Sequence, residues 1–166
     1  MLIITGTMGS GKTSVLGEAA DLLASRDTVH AAIDLDALGF AHLPSAADND
    51  DVMYRNLQAV CANYAALDVH RVLLARAIEN RDDLERCRAA VAAASTVVCR
   101  LTASVETMEQ RVKIRESGIS QQYYVARVAR LNAILDRACL QDFTISNENR
   151  SLTEVAQEIL VMAGWI

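Results

Sequence analysis

The chain is 166 residues long, with 52% hydrophobic and 22% charged residues, a balance that is typical of folded globular proteins and argues against disorder. Its 16 basic and 21 acidic residues give a net charge of −5, which disfavours a general nucleic-acid-coating role, because such a role needs a basic surface. The longest stretch without Asp, Glu, Lys or Arg covers residues 56–67, well short of the roughly 18 residues that a membrane helix needs. The four cysteines are far apart, which predicts small apolar side chains in a reducing cytoplasm rather than disulfides or a metal site: Cys61, Cys87, Cys99 and Cys139.

Short apolar runs alternate with longer helical patterns along the chain. The runs predict five strands, at residues 2–5, 29–33, 70–75, 96–101 and 143–145. Apolar residues at helical spacing predict six helices, at residues 13–26, 51–66, 81–93, 105–116, 123–140 and 152–163, the last with a Ser151–Glu154 capping box. Residues 37–49 contain the only proline and are predicted to form a loop. Strands that alternate with helices of this length predict parallel βαβ units, and hence one α/β domain over residues 1–166.

A glycine-rich segment joins the first predicted strand to the first predicted helix. It fits the phosphate-loop pattern G-x-x-x-x-G-K-[ST], and its predicted nucleotide-binding residues are Gly6, Thr7, Met8, Gly9, Ser10, Gly11, Lys12, Thr13 and Ser14. Glycines let such a loop turn its N–H groups onto phosphate oxygens, and the helix that follows directs its positive end at the same phosphates. The pattern assigns Lys12, one of only two lysines in the chain, to the β- and γ-phosphates and the Thr13 hydroxyl to Mg²⁺. We therefore predict an ATP site that uses Mg²⁺.

The phosphate loop and the order of elements around it resemble the small P-loop kinases. This group includes shikimate, gluconate, adenylyl-sulfate and nucleotide kinases, and the resemblance in element order covers nearly the whole chain. It implies a three-layer α/β P-loop NTPase fold, with a parallel five-strand sheet in the order 2-3-1-4-5 and helices on both faces. It also implies a mobile lid, which we expect as a short segment near residues 116–124.

Two carboxylates, Asp34 and Asp36, follow the second predicted strand. Ligands bind at this carboxyl edge in open α/β sheets, and the two side chains would point the same way if the strand continued. Shikimate kinases carry a similar Asp-x-Asp and adenylyl-sulfate kinases a similar Asp-Gly-Asp. The resemblance implies that Asp34 is the metal or base residue and that Asp36 contacts the acceptor. A helix cap or a solvated turn is the alternative for one or both.

The third predicted strand is followed by Arg76, where mechanical ATPases and GTPases usually have an aspartate. This difference favours a small-molecule kinase over a motor or a switch. A guanidinium group at the ligand edge suits an anionic acceptor, and a salt bridge to a helix is the alternative for Arg76. Because related kinases line the acceptor pocket with the helix after strand 2, the resemblance also implies a substrate-binding role for Arg55.

Arg111 and Arg115 lie four residues apart near the end of the fourth predicted helix, at 105–116, and so share one face of that helix. Similar arginines in the lids of small kinases close onto the phosphates and neutralise the charge that develops during transfer. The resemblance therefore implies a nucleotide contact for Arg111 and a catalytic role for Arg115. An exposed basic face is the alternative.

The segment at residues 146–151 follows the last predicted strand and resembles the loop that packs on adenine in shikimate-kinase-like proteins. This resemblance implies that Asn149 reads the edge of the base and that Arg150 stacks on its face. An ordinary strand–helix turn is the alternative for the same residues.

Together these features favour an ATP-dependent phosphotransferase that acts on a hydroxyl or phosphate group of a small molecule. One alternative is an ATP-binding sensor with little catalysis, which the small number of lid arginines and the missing strand-3 aspartate motivate. Another is a kinase for nucleic-acid ends, which the acidic balance disfavours. We expect a monomer or a homodimer in the cytoplasm, with no membrane or nucleic-acid partner.

Overall fold

The computed structural model describes residues 1–44 and 48–166. Its strands are β1 (Leu2–Thr5), β2 (Ala31–Asp34), β3 (Val72–Ala75), β4 (Val97–Thr102) and β5 (Phe143–Ser146). All paired strands are parallel, and their order in the sheet is β2-β3-β1-β4-β5. The predicted parallel five-strand sheet with the order 2-3-1-4-5 is confirmed.

The described residues also form helices between and after the strands. They are α1 (Lys12–Ala24), α2 (Leu35–Leu38), α3 (Asn49–Ala65), α4 (Arg81–Val91), α5 (Val105–Arg115), α6 (Ile119–Ala138) and α7 (Leu152–Met162). Within this described part of the chain, no helix has both the length and the apolar character that crossing a membrane requires.

Helices cover both faces of the sheet. On one face, α1 and α7 pack on a core cluster that includes Ile4 and Ile159. On the other face, α3 and α4 pack on a cluster that includes Ile3, Leu57 and Leu84. Ile3 and Ile4 are neighbours in β1, and both are fully buried, because a central parallel strand is covered on both sides. The predicted three-layer α/β architecture is confirmed.

Helices α5 and α6 form a smaller packing unit, with Met108, Val112 and Val128 buried between them. The connection between these helices spans only residues 116–118, and α6 begins four residues before its predicted start. The side-chain amide of Gln121 explains the early start, since it donates to the carbonyl oxygens of Lys113 and Glu116 at 2.9 Å each and so satisfies carbonyls at the end of α5. Most of the segment predicted as a lid is therefore the first turns of α6.

The chain turns into a short helix directly after β2, where the sequence predicted a loop. Asp34 ends the strand and caps α2, because its Oδ1 accepts a hydrogen bond from the backbone N–H of Asp36 at 3.2 Å. Asp36 therefore lies in the first turn of a helix and not on a continuing strand. Residues 39–44 and 48 of the predicted loop form neither helix nor strand, and its residues 45–47 lie outside the described part.

Three of the four cysteines are buried, as predicted, whereas Cys139 is exposed at the end of α6. Burial raises the pKa of the Cys87 thiol to about 11 and that of Cys99 to about 12. Both thiols therefore stay protonated at neutral pH and act as small apolar side chains.

The predicted capping box at the start of α7 is confirmed. The Ser151 hydroxyl accepts a hydrogen bond from the backbone N–H of Glu154 at 3.2 Å, and the Glu154 carboxylate accepts one from the backbone N–H of Ser151 at 3.0 Å. This arrangement satisfies two N–H groups that a helix start would otherwise leave without partners.

Candidate active site

The phosphate loop lies between the end of β1 and the start of α1, at the carboxyl edge of the sheet. The middle of the loop, at Gly9, lies in close contact with α5. Gly9 has a φ of +76°, and a Cβ added there would lie 2.2 Å from the backbone carbonyl oxygen of Met108. Gly11 has a φ of +97°, and a Cβ there would lie 2.3 Å from the side-chain nitrogen of Asn147. Both positions therefore require glycine, for conformation and for space.

We expect Gly9→Ala to deform the phosphate loop, since the added methyl group meets backbone that cannot move aside cheaply. The variant should lose stability by about 1–3 kcal/mol and bind ATP much more weakly than the wild type. Gly17→Ala is the matched control, because Gly17 lies in α1 with open space around its Cα, and alanine there should stabilise the protein by about 0.5–1 kcal/mol. Chemical denaturation and ATP titration of both variants test this, and an unchanged ATP affinity in Gly9→Ala would contradict it.

Three side chains hold the loop in place, two from neighbouring parts of the chain and one, Thr7, from the loop itself. The Asn147 amide, which is buried, donates to the carbonyl oxygen of Ser10 at 2.8 Å. Arg111 donates to the carbonyl oxygens of Gly9 at 3.3 Å and Asn147 at 2.8 Å, and the Thr7 hydroxyl donates to that of Val128 at 3.4 Å. Arg111, predicted to contact the nucleotide, thus braces the loop from the side of α5. Asn147 directly follows β5 at the ligand edge, in the segment at residues 146–151 that is predicted to pack on adenine.

The Lys12 ammonium donates a hydrogen bond to the Thr7 carbonyl oxygen at 3.1 Å and so spans the phosphate loop. Burial lowers the pKa of Lys12, while the nearby carboxylates of Asp36 and Asp34 act in the opposite direction. An anionic group at the loop would favour the charged form of this lysine further, which is the electrostatic behaviour that a phosphate site needs.

Thr13 and Asp34 are in direct contact. The Thr13 hydroxyl donates to Asp34 Oδ2 at 2.7 Å, while Asp34 Oδ1 caps α2. A helix cap was the alternative role for Asp34. The structure shows that Asp34 both caps α2 and contacts the phosphate loop. A hydroxyl and a carboxylate oxygen side by side are hard oxygen ligands of the kind that Mg²⁺ prefers, so these two residues fit the predicted metal.

Arg76 bridges two helices at the carboxyl end of β3. Its Nη1 lies 2.5 Å from Asp36 Oδ1, and its Nη2 lies 3.4 Å from Asp50 Oδ1. The salt bridge that the sequence left as an alternative is present, and it holds Arg76 beside the phosphate loop. Although burial acts to lower the pKa of Arg76, the hydrogen bond and charge of Asp36 raise it overall, so the guanidinium stays charged.

A cavity of about 580 Å³ opens beside the phosphate loop. Five residues predicted for the site share its lining: Met8, Lys12, Asp36, Arg76 and Arg115. Arg115 is exposed, and its Nε lies 2.9 Å from Glu116 Oε1. The lining also contains an ion pair that was not predicted, between Arg127 Nη2 on α6 and Glu79 Oε1 at 2.8 Å. Glu79 lies three residues after Arg76 at the same sheet edge, which was an available signal, whereas nothing in the sequence indicated Arg127.

The other predicted residues do not line this cavity. Arg55 is exposed on α3 and lines a separate groove between α3 and α4. Arg150 pairs with Glu158 of α7 at 2.6 Å. Asn149 is exposed at a φ of +56°, and Ser14 is exposed in the first turn of α1.

In comparisons by sequence, no protein-family model and no curated protein matches this chain. In comparisons by structure, it is similar to a shikimate kinase from Acinetobacter baumannii in complex with shikimate, at 19% identity and a TM-score of 0.63, covering 98% of this chain and 91% of that chain. It is similar to the APS kinase of Mycobacterium tuberculosis in complex with AMPPNP and APS, at 18% identity and a TM-score of 0.64, covering 98% and 96%. A gluconokinase from Sinorhizobium meliloti is 19% identical at a TM-score of 0.63, covering 96% and 89%. The chain therefore has the fold of the small P-loop kinases.

Proposed function

We propose that this chain is an ATP-dependent phosphotransferase that transfers the γ-phosphoryl group of ATP to a hydroxyl or phosphate group of a small molecule. The observation that supports it most is the shared cavity, where Lys12 of the phosphate loop lies with Asp36, Arg76 and Arg115. A cavity of this size suits an acceptor of metabolite dimensions beside the nucleotide phosphates. The solved structures of similar fold that are kinases support the same general kind of reaction.

In this proposal, the phosphate loop and Lys12 bind the β- and γ-phosphates of ATP, and the adenine of ATP lies toward the loop after β5. Mg²⁺ held by Thr13 and Asp34 would neutralise charge on the phosphates. The bracing of the loop by Asn147 and Arg111 keeps the N–H groups in place before the nucleotide arrives. Such preorganised donors stabilise developing charge without reorganising during the reaction.

Transfer to a hydroxyl group forms a bond between the acceptor oxygen and the γ-phosphorus and breaks the bond from that phosphorus to the bridging oxygen of ADP. The hydroxyl proton leaves to a carboxylate or to solvent. We assign the role of metal or base residue to Asp34 and acceptor contact to Asp36 and Arg76. Arg115 neutralises charge on the transferred group after leaving its partner Glu116. Positioning and electrostatics supply most of the catalysis in such reactions.

Incubation of the purified chain with Mg²⁺ and γ-labelled ATP tests the proposal. The acceptors would be sugars, sugar acids, polyols, amino alcohols, nucleosides and their phosphates, and the measured quantity is label transferred to each compound. We expect transfer to at least one class, with equal release of ADP.

An ATP-binding sensor is the second candidate. Two observations favour it. Arg115 is exposed and already paired with a carboxylate, and the three-residue connection between α5 and α6 leaves little chain to close over a transferred phosphate. Tight ATP binding without label transfer to any acceptor class would support the sensor and contradict the phosphotransferase.

A further inference from the structure

We infer that the acceptor of this site is a hydroxyl compound without an anionic group, such as a sugar, a polyol or a nucleoside. This inference rests on the proposed function and narrows its substrate class. It replaces the anionic acceptor that Arg76 suggested on sequence alone. The argument comes from the pairing, exposure and charge balance of the side chains that line the cavity.

The Arg76 guanidinium is committed to two carboxylates. Its two terminal nitrogens contact Asp36 and Asp50, so a substrate that approaches this guanidinium also approaches two carboxylates. Exposure points the same way, since the Arg76 side chain is 19% exposed whereas those of Asp36 and Asp50 are 60% and 53% exposed. A molecule that enters from solvent therefore meets carboxylate oxygens before it can reach this guanidinium.

The other two arginines of the lining are also paired. Arg127 contacts Glu79 at 2.8 Å and donates through its Nη1 to the Tyr123 hydroxyl at 3.2 Å. Arg115 contacts Glu116 at 2.9 Å. Thus each arginine that the described structure contributes to the cavity wall already has a carboxylate partner.

The charge balance of the acceptor end is negative. In the proposed function, Lys12 and Arg115 serve the nucleotide phosphates. The charged groups that remain in the lining are four carboxylates and two guanidinium groups, a sum of −2: Asp36, Asp50, Glu79, Glu116, Arg76 and Arg127.

An anionic acceptor that bound one of these arginines would either lie beside the carboxylate that the arginine already contacts or displace it. The first outcome places two negative charges close together, and the second leaves the displaced carboxylate without its partner. A neutral hydroxyl compound displaces nothing, because its hydroxyl groups donate to the exposed carboxylate oxygens and accept from guanidinium N–H groups at the edges of the pairs. The site therefore discriminates against acids by charge.

Label transfer from ATP to matched pairs of acceptors tests the inference. The members of each pair differ at one group, which is anionic in the first and neutral or absent in the second: an aldonic acid and its alditol, a cyclic hydroxy acid and its amide, a nucleoside monophosphate and its nucleoside. We expect kcat/KM to favour the neutral member of at least one pair by roughly tenfold or more. Preference for the acid would overturn the inference and leave the phosphotransferase intact. Transfer to no compound of either kind would overturn both.

A charge variant supplies a second readout. Glu79→Gln keeps an oxygen that can accept from Arg127 but removes one of the two surplus negative charges, so the preference for the neutral member should fall by roughly five- to tenfold. Glu85→Gln is the control, because Glu85 is exposed on α4 and pairs with Arg88, outside the cavity lining. Thermal unfolding would verify that both variants fold. An unchanged preference in Glu79→Gln would count against the inference.

Discussion

Replacing Lys12 with alanine is expected to lower ATP-dependent phosphoryl transfer by about 10³-fold, the range seen when a single electrostatic contact to a transition state is lost. The ammonium of Lys12 spans the phosphate loop and is the cation that the loop motif assigns to the β- and γ-phosphates. No other lysine lies near enough to substitute, since the chain has only one more, Lys113 on α5. Steady-state turnover with Mg²⁺ and ATP measures the effect.

Lys113→Ala is the control for this variant. Lys113 is exposed and lies 4.0 Å from Glu109 in an i,i+4 pair, a type of contact that contributes only a few tenths of a kcal/mol. Alanine is a good helix former, so both variants should fold, which thermal unfolding would verify. More than about a tenth of the wild-type turnover in Lys12→Ala would show that the phosphate loop does not serve as proposed.

Replacing Asp34 with asparagine is expected to lower turnover by about 10²- to 10⁴-fold while changing ATP affinity far less. Asparagine caps helices as well as aspartate does, so the contact to Asp36 that starts α2 should persist. What is lost is the negative charge next to the Thr13 hydroxyl, and with it the capacity to hold Mg²⁺ or to accept the proton of the acceptor. Parallel measurements of kcat and of the ATP dissociation constant separate the two effects.

Asp48→Asn controls for the change of a capping aspartate. Asp48 caps α3 in the same way, accepting a hydrogen bond from the backbone N–H of Asp50 at 2.8 Å, but its side chain does not take part in the proposed chemistry. This variant should keep wild-type turnover. If Asp34→Asn kept it as well, the proposed role of Asp34 would be wrong.

Much of the fold could be predicted because apolar periodicity reports burial directly. The run at β1 has the predicted bounds, since Gly6 ends it and both its faces are buried. The short helix after β2 and the early start of α6 were missed for a common reason. Both depend on polar side chains that bond to backbone, Asp34 in one case and Gln121 in the other, and such bonds leave no periodic signal.

The site could be predicted where its residues belong to a short motif, follow the end of a strand, or lie in a segment that resembles the lids of known kinases. The phosphate loop and the Asp34–Asp36 pair are short segments with a mechanical reason for each residue type. The Arg127–Glu79 pair joins positions 48 residues apart, and their contact depends on how α6 packs over the sheet edge. Arg150 contacts Glu158 on α7, a pairing that depends on the position of α7 and that the segment at residues 146–151 does not indicate by itself.

Phosphorus NMR of the complete reaction tests the central proposal most directly. The wild-type chain would be mixed with ATP, Mg²⁺ and the best neutral acceptor from the labelled screen, and the signals of ATP, ADP and acceptor phosphate followed over time. We expect ADP and acceptor phosphate to appear in equal amounts, only with Mg²⁺ present, and not with Lys12→Ala. Release of inorganic phosphate in place of acceptor phosphate, or equal rates with the wild type and Lys12→Ala, would contradict a phosphotransferase built on this phosphate loop.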